Sequence, residues 1–267
     1  MLKKIIVKLF DLLDYSIIKK KKLTKIDVER KHYKHQLDKL NFIFLNERIK
    51  NTHKIFELSE KSKSQIFQDL FVLNEHNFLN KGYFVEIGAA DGKYLSNTYM
   101  LEKDFNWSGL IVEPAKMWAQ EIVKNRKCDV SFDCVYSKSG ISVEFNETEK
   151  PEFSKINFYN GDTPDYHEDL RIKNNKIYNL ETISINDLFE KYKVPKSINY
   201  LSIDTEGSEF EILNSLDFNS YHISIITVEH NFTPNREKIN SLLTSKGFEQ
   251  VSSEFSKFDD WYINKEF

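Results

Sequence analysis

Glycine and proline are scarce in this chain, at 8 and 5 of 267 residues. That scarcity excludes collagen-like repeats and long flexible linkers, which need those residues in bulk. Cysteine is scarcer still, with only Cys128 and Cys134, six positions apart. Two thiols at that spacing make no disulfide framework and no C-x-x-C site, so a reducing, cytoplasmic setting is expected. Neither sign of charge dominates, since 38 Lys and Arg against 41 Asp and Glu leave a net charge of −3. No global field recruits nucleic acid, and none is expected as a partner. Long apolar runs are missing too. The most apolar N-terminal stretch, from Ile5 to Ile18, is broken by Lys8, Asp11 and Asp14. It is too short for a transmembrane segment and lacks the core of a signal peptide. What the chain does have is core material, with 40% hydrophobic residues that include 21 Phe, 13 Tyr and 3 Trp.

Two regions separate by pattern. Residues 1–60 read as a helical extension, because Leu2, Ile5, Ile6, Leu9, Phe10, Leu12, Leu13 and Ile17 recur at helical spacing ahead of Lys19-Lys20-Lys21-Lys22. Such a helix packs on the domain or on a second subunit of a homo-oligomer, or else lies on an anionic membrane surface. Asp11 and Asp14 dilute the basic face and favour packing. His32 and His35, in a Lys-rich stretch, read as bystanders.

Residues 61–267 alternate between strand and helix patterns. Strands are expected over 83–87, 109–113, 130–133, 200–203 and 224–228, with helices over 66–74, 96–104, 118–125, 182–192, 209–215 and 236–245. Two closing runs, 248–252 and 261–264, suggest an antiparallel pair. A polar insertion over 137–179 reads as a lid or binding loop. This alternation predicts an α/β fold built on a doubly wound, mostly parallel sheet.

In such a sheet, ligands sit beyond the carboxyl ends of the strands. The run Tyr83-Phe84-Val85-Glu86-Ile87-Gly88-Ala89-Ala90-Asp91-Gly92 reads as a buried strand ending in a turn poor in side chains. Its glycines predict close approach of backbone to a ligand, and the following helix offers N–H groups to an anion. The G-x-x-x-G spacing, without G-x-G-x-x-G, suits a nucleoside with one anionic arm rather than a dinucleotide. Glu113 ends the next strand, 21 residues after Gly92, where a carboxylate can accept both hydroxyls of a ribose. Pro114 fixes the turn behind it. Asp133 either receives an adenine amino group or caps a helix, and both readings stay open.

Asp204, Glu206 and Glu209 follow the fourth strand, and His230 follows the fifth. Asp204, Glu206 and His230 could bind Mg²⁺ or Mn²⁺. They could equally form a metal-free general-base system. Glu209 reads as a first-turn complement to a helix dipole, and His230 has the alternative of a buried, hydrogen-bonded histidine. Ser64 reads as an N-cap, with Gln65 a contact to a ligand's amino-acid end. His167 and Arg171 fall in the insertion and read as solvated or as substrate contacts.

These residues resemble FkbM-type methyltransferases. The resemblance rests on Ser64-Gln65 with Gln68-Asp69, on the run from Phe84 to Gly92, and on Leu95-Ser96-Asn97-Thr98. Trp107-Ser108-Gly109, Ile111-Val112-Glu113-Pro114, the run from Tyr200 to Glu209 and Val228-Glu229-His230-Asn231 complete it. It implies a class I methyltransferase fold with S-adenosylmethionine as cofactor. It also implies donor contacts at Gln65, Glu86, Gly88, Ala89, Asp91, Gly92 and Ser96, with Glu113 at the ribose and Asp133 and Cys134 near adenine. The implied reaction is O-methylation of a carbohydrate, either a nucleotide-linked sugar or a surface-polysaccharide unit, with Asp204, Glu206 and His230 at the reacting end. Two alternatives are a nicotinamide-dependent sugar oxidoreductase and a non-catalytic nucleoside-binding scaffold. The missing G-x-G-x-x-G weighs against the first, and the intact strand-end acids weigh against the second.

Overall fold

A computed structural model of the chain describes residues 25–26, 28–30, 32–148, 153–157 and 175–267. It divides into two compact units, Met1–Glu47 and Arg48–Phe267. In the first, residues 32–45 form helix α1, which carries His32 and His35 on exposed positions. The apolar and basic stretch from Leu2 to Lys22 lies outside the described residues, as do His167 and Arg171.

The second unit opens with α2 (Thr52–Ser59) and α3 (Gln68–Glu75). Strand β1 (Tyr83–Ile87), helix α4 (Tyr99–Phe105), β2 (Ser108–Val112), α5 (Ala119–Asn125) and β3 (Asp129–Ser131) follow. Later come β8 (Ser197–Ile203), α7 (Glu209–Ser215), β9 (His222–Glu229), α8 (Asn235–Ser245), β10 (Phe248–Val251), α9 (Ser253–Ser256) and β11 (Asp259–Asn264). Seven strands form one sheet in the order β10-β11-β9-β8-β1-β2-β3. The five from β9 to β3 are mutually parallel, while β11 runs antiparallel to both β9 and β10. This is the doubly wound sheet with a terminal antiparallel strand that the alternation predicts. Its central strands are near-continuous apolar runs because helices cover both faces.

Side-chain parity assigns the two faces. Val85, Ile87, Leu201, Ile203, Ile226 and Val228 join a core cluster with Leu188, Ile212, Leu213 and Leu243 from the helices. The other face carries Phe84 and Glu86, and there Trp261 of β11 stacks on Phe71 of α3 with ring centroids 4.6 Å apart. α3 is buried along its whole length.

The polar insertion is corrected in part. Among the described residues it contains β5 (Ser142–Thr148), β6 (Lys155–Ile156) and the first half of β7 (Asn175–Ser184), so it is not a plain loop. With β4 (Cys134–Tyr136) these make a second sheet in the order β4-β7-β5-β6. Strands β5 and β7 pair antiparallel from Ser142↔Glu181 to Thr148↔Asn175. Their apolar side chains close a second cluster of Ala115, Cys134, Phe145 and Ile156, with Trp118, Val143, Tyr178 and Leu180 packed against it. The helix expected over 182–192 is α6 (Ile185–Lys191). Thr182 and Ile183 belong to β7, and Ser184 caps α6 by accepting from the Asp187 N–H at 3.1 Å. The third strand ends at Ser131, and Cys134 starts the second sheet.

Candidate active site

A cavity of about 470 Å³ opens beyond the carboxyl ends of β1, β2, β8 and β9, between the two sheets. That volume suits a small-molecule cofactor with its substrate. Gly88, Ala89 and Ser96 form one wall, and Glu113 and Pro114 the next. The second sheet contributes an apolar slot of Cys134, Val135, Phe145 and Ile156, while Asp204, Glu206 and Glu229 form the acidic end. Gln65 and Phe258 also line the cavity.

The turn after β1 is organised from beneath by Glu86, which does not reach the cavity. Its carboxylate accepts from Ser96 Oγ at 2.9 Å, Asn97 N–H at 2.6 Å and Thr98 Oγ1 at 2.6 Å. Arg126, wholly buried, donates from Nη1 to the Gly92 carbonyl at 3.1 Å and to Ser96 Oγ at 3.1 Å. Its Nη2 reaches Thr98 Oγ1 at 2.8 Å, and its Nε reaches Glu102. Glu86 and Ser96 thus take up the N–H groups of Asn97, Thr98 and Tyr99 at the start of α4, which begins seven residues after Gly92.

The glycines also relieve contacts within the protein. A Cβ on Gly88, whose φ is +89°, would lie 1.7 Å from the Asp204 carbonyl oxygen. The backbone leaving β1 therefore meets the backbone leaving β8 directly. At Gly92 (φ +75°) a Cβ would meet Arg126 Cγ at 2.9 Å. Asp91 faces its own loop, accepting from the Lys93 and Tyr94 N–H groups at 2.8 and 2.6 Å. Neither Asp91 nor Gly92 lines the cavity.

Glu113 does line it. Its Oε2 accepts from the Ala90 N–H at 2.9 Å and its Oε1 from the Ala115 N–H at 2.8 Å, which leaves lone pairs for hydroxyl donors. Burial pushes its carboxyl up to about 7 against the opposing pull of those N–H groups. Cys134 lies beside it in the slot, with burial pushing the thiol up to about 12, so it is no thiolate nucleophile. Asp133 turns away, accepting from Ser131 Oγ at 2.6 Å and from Lys191 Nζ at 2.7 Å.

At the acidic end, register decides which groups meet. Ile203 pairs with Val228, so Asp204 and Glu229 are the next residues along, and Glu229 pairs with Asp259 across β11. Residues opposite one another share a face. Ligand atoms of Asp204, Glu206 and Glu229 lie within 4.8 Å of one another. Burial raises the carboxyl groups of Asp204 and Glu229; repulsion from Asp259 raises Asp204 further against its hydrogen bond with Glu229, and repulsion from Asp204 and Glu206 raises Glu229 further. Burial pushes Asp259 up to about 7 even though Gln68 Nε2 donates to it at 2.7 Å. His230 is one residue further along the extended chain and points to the opposite face. There Nδ1 accepts from the Phe232 N–H at 2.9 Å, and Nε2 lies 3.6 Å from Asp260. The group expected as Asp204, Glu206 and His230 is thus assembled with Glu229 in the histidine's place. Glu209 turns inward, with Oε1 accepting from the Thr205 and Gly207 N–H groups at 2.9 Å each. Ser64 caps no helix; its hydroxyl donates to Asp69 at 2.6 Å, and α3 begins only after Phe67.

Residues 86–262 match the family model of the methyltransferase FkbM domain. The chain belongs to that family. This FkbM methyltransferase is thus an S-adenosylmethionine-dependent enzyme of class I fold, as the resemblance implies. Solved structures with similarity include a methyltransferase FkbM from Methylobacillus flagellatus KT, at 10% identity and TM-score 0.42, over 79% of this chain and 58% of that one. A SAM-dependent methyltransferase from Aquifex aeolicus matches at 11% identity and TM-score 0.37, over 79% of this chain and 96% of that one. A precorrin-6y C5,15-methyltransferase from Geobacter metallireducens GS-15 matches at 10% identity and TM-score 0.37, over 68% and 71%. No curated protein matches this FkbM methyltransferase. Among the described residues, no helix is long and apolar enough to cross a membrane.

Proposed function

We propose that the enzyme methylates a hydroxyl group of a carbohydrate, a nucleotide-linked sugar or a surface-polysaccharide unit. The observation that carries this reading is the convergence of Asp204, Glu206 and Glu229 at the acidic end of the cavity. The remaining cavity suits the donor. The slot of Pro114, Cys134, Val135 and Phe145 fits an adenine ring, and Glu113 keeps acceptor capacity for ribose hydroxyls. S-adenosylmethionine supplies an activated methyl group on a cationic sulfur, which an acidic cavity favours electrostatically.

A sugar hydroxyl is a weak nucleophile at neutral pH, so a base or a cation must lower its effective pKa. Asp204 is the assigned base. Burial and the neighbouring Asp259 make it more basic than an ordinary aspartate. Glu206 and Glu229 orient further hydroxyls of the acceptor, and holding the attacking oxygen in place is a large part of the rate. The same all-oxygen trio fits Mg²⁺ or Mn²⁺, which take carboxylate ligands. His230 is assigned a place in the turn after β9 rather than at the reacting end.

Calorimetry with S-adenosylhomocysteine and methyl transfer to a panel of nucleotide sugars test the proposal together. Tight binding, indifference to NADPH and a methyl ether product are expected. Methylation of amines or carboxylic acids, with no sugar accepted, would sink the acceptor assignment. Asp204→Asn is expected to lower turnover at least a hundredfold while S-adenosylhomocysteine still binds. Full activity in EDTA would leave Asp204 as a metal-free base.

A further inference from the structure

We infer that α1 and the residues just before it form the seam of a parallel, two-stranded coiled coil between two copies of this chain. Residues 25–26, 28–30 and 32–45 are helical. Ile26, Tyr33, Leu37, Leu40 and Phe44 lie on them at alternating three- and four-residue steps once Arg30 is included, the a/d spacing of a heptad repeat. These five apolar side chains are between 41% and 71% exposed, which leaves a whole apolar stripe in water. In this register Arg30, Leu37 and Phe44 are a positions, and Ile26, Tyr33 and Leu40 are d positions.

Charge complementarity selects the occupant. Glu29 falls at g and Lys34 at e, five residues apart, where the g side chain of one parallel strand faces the e side chain of the other. Each chain therefore presents an acid to its partner's base twice per dimer, and the pairing is self-complementary as a two-fold interface requires. Gln36 and Asn41 repeat the g-to-e relation one heptad later as an amide pair. Arg30 at an a position is the single charged residue in the seam, a device that fixes register at some cost in stability. A lipid surface would ask for a basic polar face, whereas Glu29, Gln36, Asp38 and Asn41 interrupt the bases on this stretch.

Sedimentation of the full chain at micromolar concentration reads the outcome. Wild type is expected to sediment as a dimer, and Leu37→Glu with Leu40→Glu as a monomer that keeps the wild-type melting transition and S-adenosylhomocysteine binding. Glu29→Lys alone and Lys34→Glu alone are each expected to weaken dimerisation at least tenfold, and mixing these two variants to restore it as a heterodimer. Arg30→Cys is expected to cross-link with itself, because a positions adjoin only in the parallel arrangement. A monomeric wild type overturns the inference, whether it stays free or pellets with phosphatidylglycerol vesicles. Failure of the mixed variants to recover the dimer overturns it equally.

Discussion

Gly88 carries the tightest constraint at the scale of single residues, because the space a Cβ needs holds the Asp204 carbonyl. Gly88→Ala must either part β1 from β8 or collapse the turn, so a loss of more than about 3 kcal/mol in chemical denaturation is expected. Gly207→Ala is the control. Its φ is also positive, at +125°, but nothing lies within 4 Å, so backbone strain of about 1–3 kcal/mol applies without a clash. Arg126 is constrained through charge. Arg126→Met leaves Glu86 buried without its cation and is expected to cost about 3–5 kcal/mol, with Glu86→Gln in the same chain recovering part of it. Residue identity was legible to different depths here. Glu113 and Asp204 declare themselves as acids at strand ends, and both line the cavity. Glu229 and His230 are adjacent in sequence, and only the parity of the last strand residue tells which faces the site. Glu86 is a donor contact only as the resemblance implies, whereas in the structure it holds the loop that does line the cavity.

Among elements, the second sheet is where local pattern said least. Val143 and Phe145 do alternate with polar neighbours, but such a short alternation in a polar stretch is a weak signal. The partner strand β7 begins more than twenty-five positions later, and register across that gap is a non-local property. The parallel strands of the main sheet were legible because apolar runs between helices leave few other arrangements. The second sheet is also what closes the apolar slot of the cavity. Phe145→Ala is accordingly expected to weaken S-adenosylhomocysteine binding about tenfold by calorimetry, through lost contact area in the slot. Phe145→Leu, which keeps most of the volume, should lose less.

Taken as a whole, the molecule concentrates carboxyl groups of raised proton affinity at one edge of its sheet. Glu113 and Asp259 both titrate near 7 when folded, about three units above ordinary carboxylates. Their raised values mean that the folded chain holds protons which the unfolded chain has released. Stability therefore declines as pH rises from about 4 to 7 and levels off beyond, the reverse of a salt-bridged acid. Burial lowers His76 and His230, which pulls the opposite way below about 6.5, so the informative measurement is a difference. Asp259→Asn is expected to flatten the fall in melting temperature between pH 5 and 8 relative to wild type, because an amide has no proton to lose. An unchanged profile would show that Asp259 keeps its proton equally well in both states.

Trp118 gives the second cluster an optical consequence. Its indole packs beside Cys134 and Phe145, whose side chains form the slot, while Trp107 lies just before β2 and Trp261 in β11. Whatever fills that slot alters the polarity and quenching around one indole and leaves the other two as a constant background. The enzyme thus carries a native emission signal for occupancy of that slot, readable without label or turnover.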